Sequence, residues 1–191
     1  MGLKRLSSPD TFIEETLKTM TSMATLPMSK PSLIEWGSVR FLIMDKPKDS
    51  NLHLYLKECK KHNVTHIVRI CEPCYEKTEV EKAGISLHEL FYEDGRSPPE
   101  EVIKKWNDLV SQTFDKLGAN EPKPCIALHC VAGLGRAPVL VAIALVEAGQ
   151  DPGQAVSFIR ERRRGAINAV QLQYLQSYKR RKVKGGFCNI L

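Results

Sequence analysis

Cys130 and Arg136 stand six positions apart in His129-Cys130-Val131-Ala132-Gly133-Leu134-Gly135-Arg136, a thiol and a guanidinium joined by a short glycine-bearing loop. That spacing suits a phosphate. A cysteine attacks phosphorus as its thiolate, and a loop of inward-pointing backbone N–H groups running into a helix stabilises both the thiolate and a bound anion. Arg136 adds a planar, permanently charged fork that can engage two phosphate oxygens at once. Val131, Ala132, Gly133, Leu134 and Gly135 would supply the amides, with Gly133 and Gly135 giving the backbone freedom to turn them inward. His129 could orient the loop and tune the thiolate, or be a core histidine whose hydrogen bonds are satisfied. The sequence leaves both open.

Such a loop needs a strand before it and a helix after it. Pro124 to Leu128 is a short apolar run suited to a buried strand, and Ala137 to Leu145 reads as a buried helix with Pro138 in its first turn and a stop near Gly149. Upstream, Leu33 to Trp36 and Val39 to Ile43 form a hairpin pattern around Gly37-Ser38. Leu52 to His62 reads as a helix with Leu52, Leu56 and Cys59 inward, and strands are expected at Val64 to Ile70 and Ile85 to Leu90. Ser97-Pro98-Pro99-Glu100 has the spacing of a capping box for a helix carrying Val102, Trp106, Leu109, Val110, Phe114 and Leu117. Asp151-Pro152 and Asn168 each start a later helix, the second bearing Tyr174 and Tyr178 four apart. Strands and helices alternate, which predicts an α/β fold with a mainly parallel central sheet flanked by helices.

A thiolate nucleophile also needs a proton donor for the leaving oxygen, on a loop able to close over substrate. Phe91 to Pro99 is a Gly/Pro-punctuated segment with two candidates, Glu93 and Asp94. Cys71 and Cys74 form a Cys-x2-Cys pair. No second pair and no histidine pair at zinc spacing follows, so no metal site is expected there.

At 191 residues, with 42% hydrophobic and 26% charged content, the chain is expected to form one domain, about 31–179, after an N-terminal extension of some thirty residues rich in Thr, Ser and Met that is expected to be mobile. The net charge of +6 is concentrated late: from Arg160 to Lys184 there are nine Lys/Arg against Glu161 alone, a surplus of eight that leaves the rest at about −2. Arg160, Arg162, Arg163 and Arg164 either favour anionic substrates or are simply solvated. No run of eighteen apolar residues and no apolar signal core is present, so the six cysteines read as cytosolic thiols. Residues 180–191 form a basic tail ending in Cys188-Asn189-Ile190-Leu191, which fits a prenylation box. One lipid chain plus a polybasic stretch gives stable anchoring, so the expectation is the cytosolic face of membranes, plasma membrane or endosomes. No aromatic platform accompanies the basic residues, which argues against nucleic acid.

Cys130 to Ala142 resembles the signature of the phosphatases of regenerating liver (PRL), a prenylated branch of the dual-specificity protein tyrosine phosphatases. Val68-Arg69-Ile70-Cys71-Glu72 with Tyr75, Glu93-Asp94-Gly95 with Pro98 and Pro99, Arg163-Arg164-Gly165-Ala166, Gln171-Leu172 and the Cys188 box follow in the same order, so the resemblance spans roughly Pro31 to Leu191. It implies a cysteine-phosphatase fold of the dual-specificity type with no cofactor. It implies Cys130 as nucleophile, Arg136 as phosphate ligand, Asp94 as general acid, and His129 and Gln171 in support. Cys71 matches the cysteine that pairs reversibly with the nucleophile. Most cysteine phosphatases carry Ser or Thr directly after the arginine, where this chain has Ala137, and the resemblance implies slow turnover. It further implies phosphorylated proteins and phosphoinositides as substrates, or a binding role toward CBS-pair domains of magnesium transporters governed by phosphocysteine.

Overall fold

The computed structural model describes residues 29–115 and 122–181. The expected N-terminal extension, Leu117, Cys188 and the last basic residues lie outside them.

Strands β1 (Ser32–Trp36) and β2 (Val39–Met44) form the expected hairpin, turning at Gly37 with φ of 59°. Helix α1 (Leu52–Lys61) leads to β3 (Val64–Arg69), and a short helix α2 (Lys77–Lys82) leads to β4 (Ser86–Glu89). Then come α3 (Glu100–Phe114), β5 (Cys125–His129), α4 (Arg136–Glu147), α5 (Pro152–Arg162) and α6 (Ala169–Ser177). The sheet order is β1-β2-β5-β3-β4; β1 runs antiparallel to β2 and the remaining pairs are parallel. The fold class is as expected: a five-stranded, mainly parallel sheet between helices.

Strand alternation divides the core in two. Phe41 and Ile43 of β2, with Ile126 and Leu128 of β5, face α3, α4, α5 and α6, while Leu42, Met44, Cys125 and Ala127 face α1 and α2. β5 is buried at every position, as a central strand covered on both faces must be. α4 is also buried throughout, and each fully buried Leu, Ile or Val there contributes roughly 1.5–3 kcal/mol. It ends where Gly149, at φ of 105°, lets the Gly149 and Gln150 N–H groups fold back onto the Val146 and Leu145 carbonyls.

Three local expectations fail. α3 has Pro99 as its N-cap with no side-chain cap, because the two prolines hold the chain extended (φ −62°, ψ 157° at Pro99) and leave Ser97 too far back. In α1 the buried residue is Tyr55, with Leu56 only half-buried, since the inward face follows Leu52, Tyr55 and Cys59 and the Tyr55 hydroxyl donates to Asp45 at 2.8 Å. α2 was not foreseen: its six residues bury only Val80, too little to leave a periodic signal.

Candidate active site

The ends of β2, β5 and β3 lie side by side, with His129 in register with Met44 on one side and Arg69 on the other. Chain leaving these carboxyl ends forms the site, as is usual for parallel sheets. Cys130, 3% exposed, follows β5 directly, and the loop 131–135 runs into α4 at Arg136.

Every carbonyl of this loop is tied to the surrounding protein. Val131 O accepts from Lys46 N at 2.8 Å, Leu134 O from Ile167 N at 2.7 Å and Gly135 O from Val139 N at 3.1 Å. Arg163 takes the two between, with Nη2 donating to Ala132 O at 2.9 Å and Nε to Gly133 O at 2.6 Å. Among the described residues, no backbone N–H from Val131 to Arg136 donates to a protein acceptor. Carbonyls held outward and amides left free make an anion nest at a helix N-terminus. Gly133 is the residue that permits it. Its φ is +66°, and a Cβ there would stand 2.3 Å from Met44 O and 2.6 Å from Arg163 Nη2. Gly135, with φ of −112°, does not need left-handed freedom, contrary to expectation; its lack of a side chain leaves room for Asp94 and Gln171.

Arg136 is 4% exposed and anchored at one end, where Nη1 donates to Ile70 O (3.0 Å) and Tyr92 O (3.1 Å). Its Nε lies 3.2 Å from Asp94 Oδ1 without a hydrogen bond to any protein atom. The structure thus distinguishes the two carboxylates: Asp94 turns to Arg136, while Glu93 extends into solvent near Arg96 at 3.8 Å. Gln171 is fully buried; its Oε1 closes a capping box on Asn168 N at 3.1 Å, leaving Nε2 without a protein partner. Asp94, Gly95, Leu134, Gly135, Gly165, Asn168 and Gln171 line a cavity of about 360 Å³. Ala137 is buried in the first turn of α4 and offers no hydroxyl to this space.

His129 is fully buried, with Nε2 2.8 Å from the Tyr75 hydroxyl and Nδ1 3.3 Å from Cys130 O. Both ring nitrogens thus have polar neighbours, as the core-histidine reading has it. Cys71 lies two residues past β3, and its Sγ donates to Cys130 O at 3.3 Å. A hydrogen bond with Cys74 and burial together push the Cys71 thiol up to about 12; the same bond lowers Cys74.

The sequence reading missed the supports. Arg163 looks like one charge in a basic cluster, yet it is 8% exposed and holds the loop from behind; Arg160 likewise donates to Ala166 O and Ile167 O. Their carbonyl partners explain both without substrate or simple solvation. Ile167 sits at φ of 67°, unusual for a β-branched residue, and is held there by Leu134 O and Arg160. Tyr92, whose hydroxyl donates to Arg136 O at 3.0 Å, had no signal in the sequence, while Tyr75 was marked by the resemblance without a role.

A family model described as "Tc-R-P: Polymorphic toxin system, DSP-PTPase phosphatase" matches residues 43–150. A Dictyostelium discoideum protein named "Probable protein tyrosine phosphatase type IVA A" is 48% identical over 163 residues, 85% of this chain and 96% of that one. The Drosophila melanogaster "PRL-1 phosphatase" is 47% identical over 162 residues, 83% of this chain and 90% of that one. Human "Protein tyrosine phosphatase type IVA 3" is 43% identical over 157 residues, covering 82% and 88%. A solved protein tyrosine phosphatase from Leishmania major superposes with a TM-score of 0.73 at 40% identity, over 80% of this chain and 100% of that one. Kinase associated phosphatase, at 20% identity and a TM-score of 0.56 over 80% and 94%, shares the fold. The family model's span takes in the loop and Arg136, and the relatives each cover more than four-fifths of the chain at over 40% identity: the chain belongs to the type IVA (PRL) protein tyrosine phosphatases, cysteine-dependent enzymes of the dual-specificity fold.

Proposed function

We propose that the enzyme hydrolyses phosphotyrosine through a cysteinyl-phosphate that outlasts its formation. The free loop amides carry this reading, because they follow Cys130 directly in the chain and are left to donate to phosphate oxygens. The Cys130 thiolate attacks phosphorus in line, the bond to the leaving oxygen breaks, and the Asp94 carboxyl gives that oxygen its proton. Water then attacks the phosphocysteine, Asp94 takes its proton, and the Cys130 thiolate departs. The unpartnered Gln171 Nε2 supports a role in holding that water or a phosphate oxygen. In the second step Ala137 offers no hydrogen bond to the departing sulfur. Ala137→Ser restores one and should raise steady-state turnover about tenfold, the worth of one hydrogen bond to a charged group. Intact mass during turnover should show less phosphoenzyme in the variant; an unchanged or lower rate would overturn the slow second step.

Cys71 is proposed as the redox partner of Cys130. Peroxide converts the Cys130 thiolate to sulfenic acid, and Cys71 displaces water from it to form a disulfide that thiols reverse. The Cys71 thiol touching Cys130 O supports this. Peptide mapping after mild peroxide treatment should recover a Cys71–Cys130 peptide; sulfinic acid at Cys130 without that peptide would count against it.

A second reading rests on apolar side chains exposed on the two catalytic segments: Val131 and Leu134 of the loop after Cys130, the latter lining the cavity, and Phe91 three residues before Asp94 are 49%, 38% and 54% exposed. Apolar side chains around a phosphate site suit a protein surface, and by resemblance the CBS-pair domains of magnesium transporters are the proposed partner, released when Cys130 is phosphorylated. Phosphoinositides are proposed as further substrates. The Cys188 box and the basic residues after Arg181 lie outside the described residues, and a lipid anchor at the cytosolic face of membranes is proposed from the tail's sequence. Among the described residues, no helix is long and apolar enough to cross a membrane.

A further inference from the structure

No histidine pair at zinc spacing follows Cys71 and Cys74 in the sequence, yet the fold brings one distant histidine to them. His129, at the end of β5, brings Nδ1 to 3.9 Å from Cys71 Sγ, and the donor atoms of Cys71, Cys74 and His129 all lie within 4.8 Å of one another. We propose that these three residues form a zinc site, distinct from the Cys130 thiolate.

The dimensions fit. Zinc bonds to sulfur are about 2.3 Å and to imidazole nitrogen about 2.0–2.1 Å, so tetrahedral ligands lie roughly 3.6–3.8 Å apart and even opposed ones no more than about 4.6 Å. An ion held by the three requires the donors to close by a few tenths of an ångström on the Cys71–His129 side and by up to about 1 Å on the widest side, a shift within reach of the half-buried Cys74 side chain. The histidine is already oriented for it. A ligating imidazole usually donates its other N–H to a polar neighbour that fixes ring and tautomer, and His129 Nε2 has the Tyr75 oxygen at 2.8 Å, while Nδ1 lies 3.9 Å from Cys71 Sγ and 3.3 Å from Cys130 O, a contact the metal would replace. Charge also balances: Cys71 and Cys74 each give up a proton to solvent as they bind, Cys71 exchanging its bond to Cys130 O for the metal, and the two thiolates cancel the two charges of zinc. The nearest guanidinium, Arg69, is occupied by Glu89 and the Tyr75 carbonyl, and an extra carboxylate is not needed. Cys71 and His129 are buried while Cys74 is half-buried, so the ion enters past Cys74 and keeps its fourth position for water, the three-ligand pattern of an exchangeable rather than a structural site. Cys74 is the residue that makes the set.

With zinc in place, Cys71 is a metal ligand and is withheld from disulfide formation with Cys130. That consequence rests on the proposed pairing, whereas the binding itself does not. The test is titration of the reduced full-length protein with Zn2+ against a chromophoric chelator. One equivalent should bind, Cys74→Thr should weaken it at least about a hundredfold, since loss of a mere outer neighbour of a ligand already costs 10–100-fold, and Cys130→Ser should leave it unchanged. Zn2+ should shield Cys71 and Cys74 from alkylation, with Co2+ showing sulfur-to-metal charge transfer at the same site. Aryl phosphate hydrolysis by Cys74→Thr confirms its fold. Affinity that survives Cys74→Thr, or that disappears in Cys130→Ser, overturns the site. Failure of the Cys71–Cys130 peptide to form leaves these measurements unaffected.

Discussion

Cys130→Ser should lower turnover of an aryl phosphate by at least about 10^4-fold, the scale on which loss of a covalent nucleophile is felt, and intact mass should show no phosphoenzyme. The size follows from how little else could do the work. The loop amides and Arg136 bind and stabilise charge, but neither supplies an electron pair to phosphorus, and a serine hydroxyl in the same place stays protonated at neutral pH with no base poised beside it. Phosphate affinity should survive, because the nest is backbone and its outward carbonyls are fixed by Lys46, Arg163, Ile167 and Val139 rather than by the sulfur. Isothermal titration with inorganic phosphate or vanadate would check this. Retained turnover would remove Cys130 from its role.

Asp94→Asn should lower kcat by about 10^2–10^3-fold on phosphotyrosine peptides, within the usual worth of a positioned acid. On an aryl phosphate whose leaving group departs without a proton the loss should be far smaller. Glu93→Gln is the control: its carboxylate faces Arg96 and solvent, so it should behave as the unaltered enzyme on both substrates. A Glu93→Gln defect equal to that of Asp94→Asn would assign the proton to the wrong residue. Binding of a CBS-pair domain should be insensitive to Asp94→Asn if the pocket also serves as a docking surface, which separates the two proposed roles in one variant.

What could be read in advance follows from the range of each interaction. β5, the loop and α4 were legible because apolar runs, glycines and a cysteine-arginine spacing are all written within some twenty consecutive residues. Spacing alone left Glu93 beside Asp94, since neighbouring residues on an irregular loop have no fixed face, and the resemblance selected Asp94; the path of the chain past Arg136 puts that carboxylate beside the guanidinium. The role of Arg163 was hidden because a buried arginine that serves carbonyls looks the same, in a string of letters, as one that serves solvent. The meeting of Cys71 and Cys74 with His129 depends on β3 pairing with β5, a contact across more than fifty positions that no local spacing encodes.

Arg181, the last described residue, is fastened at two points. Its backbone N–H donates to Glu147 at 3.2 and 3.1 Å, beside the Tyr178 hydroxyl bond to the same carboxylate at 2.6 Å, and its guanidinium grips Glu100 at the start of α3. Glu147 closes the helix that Arg136 opens, and Glu100 follows the loop that carries Asp94. Arg181 is therefore clamped to the frame of the pocket. A pull applied at Arg181 passes first into α4, which Arg136 opens, and into the start of α3, just past the loop that carries Asp94.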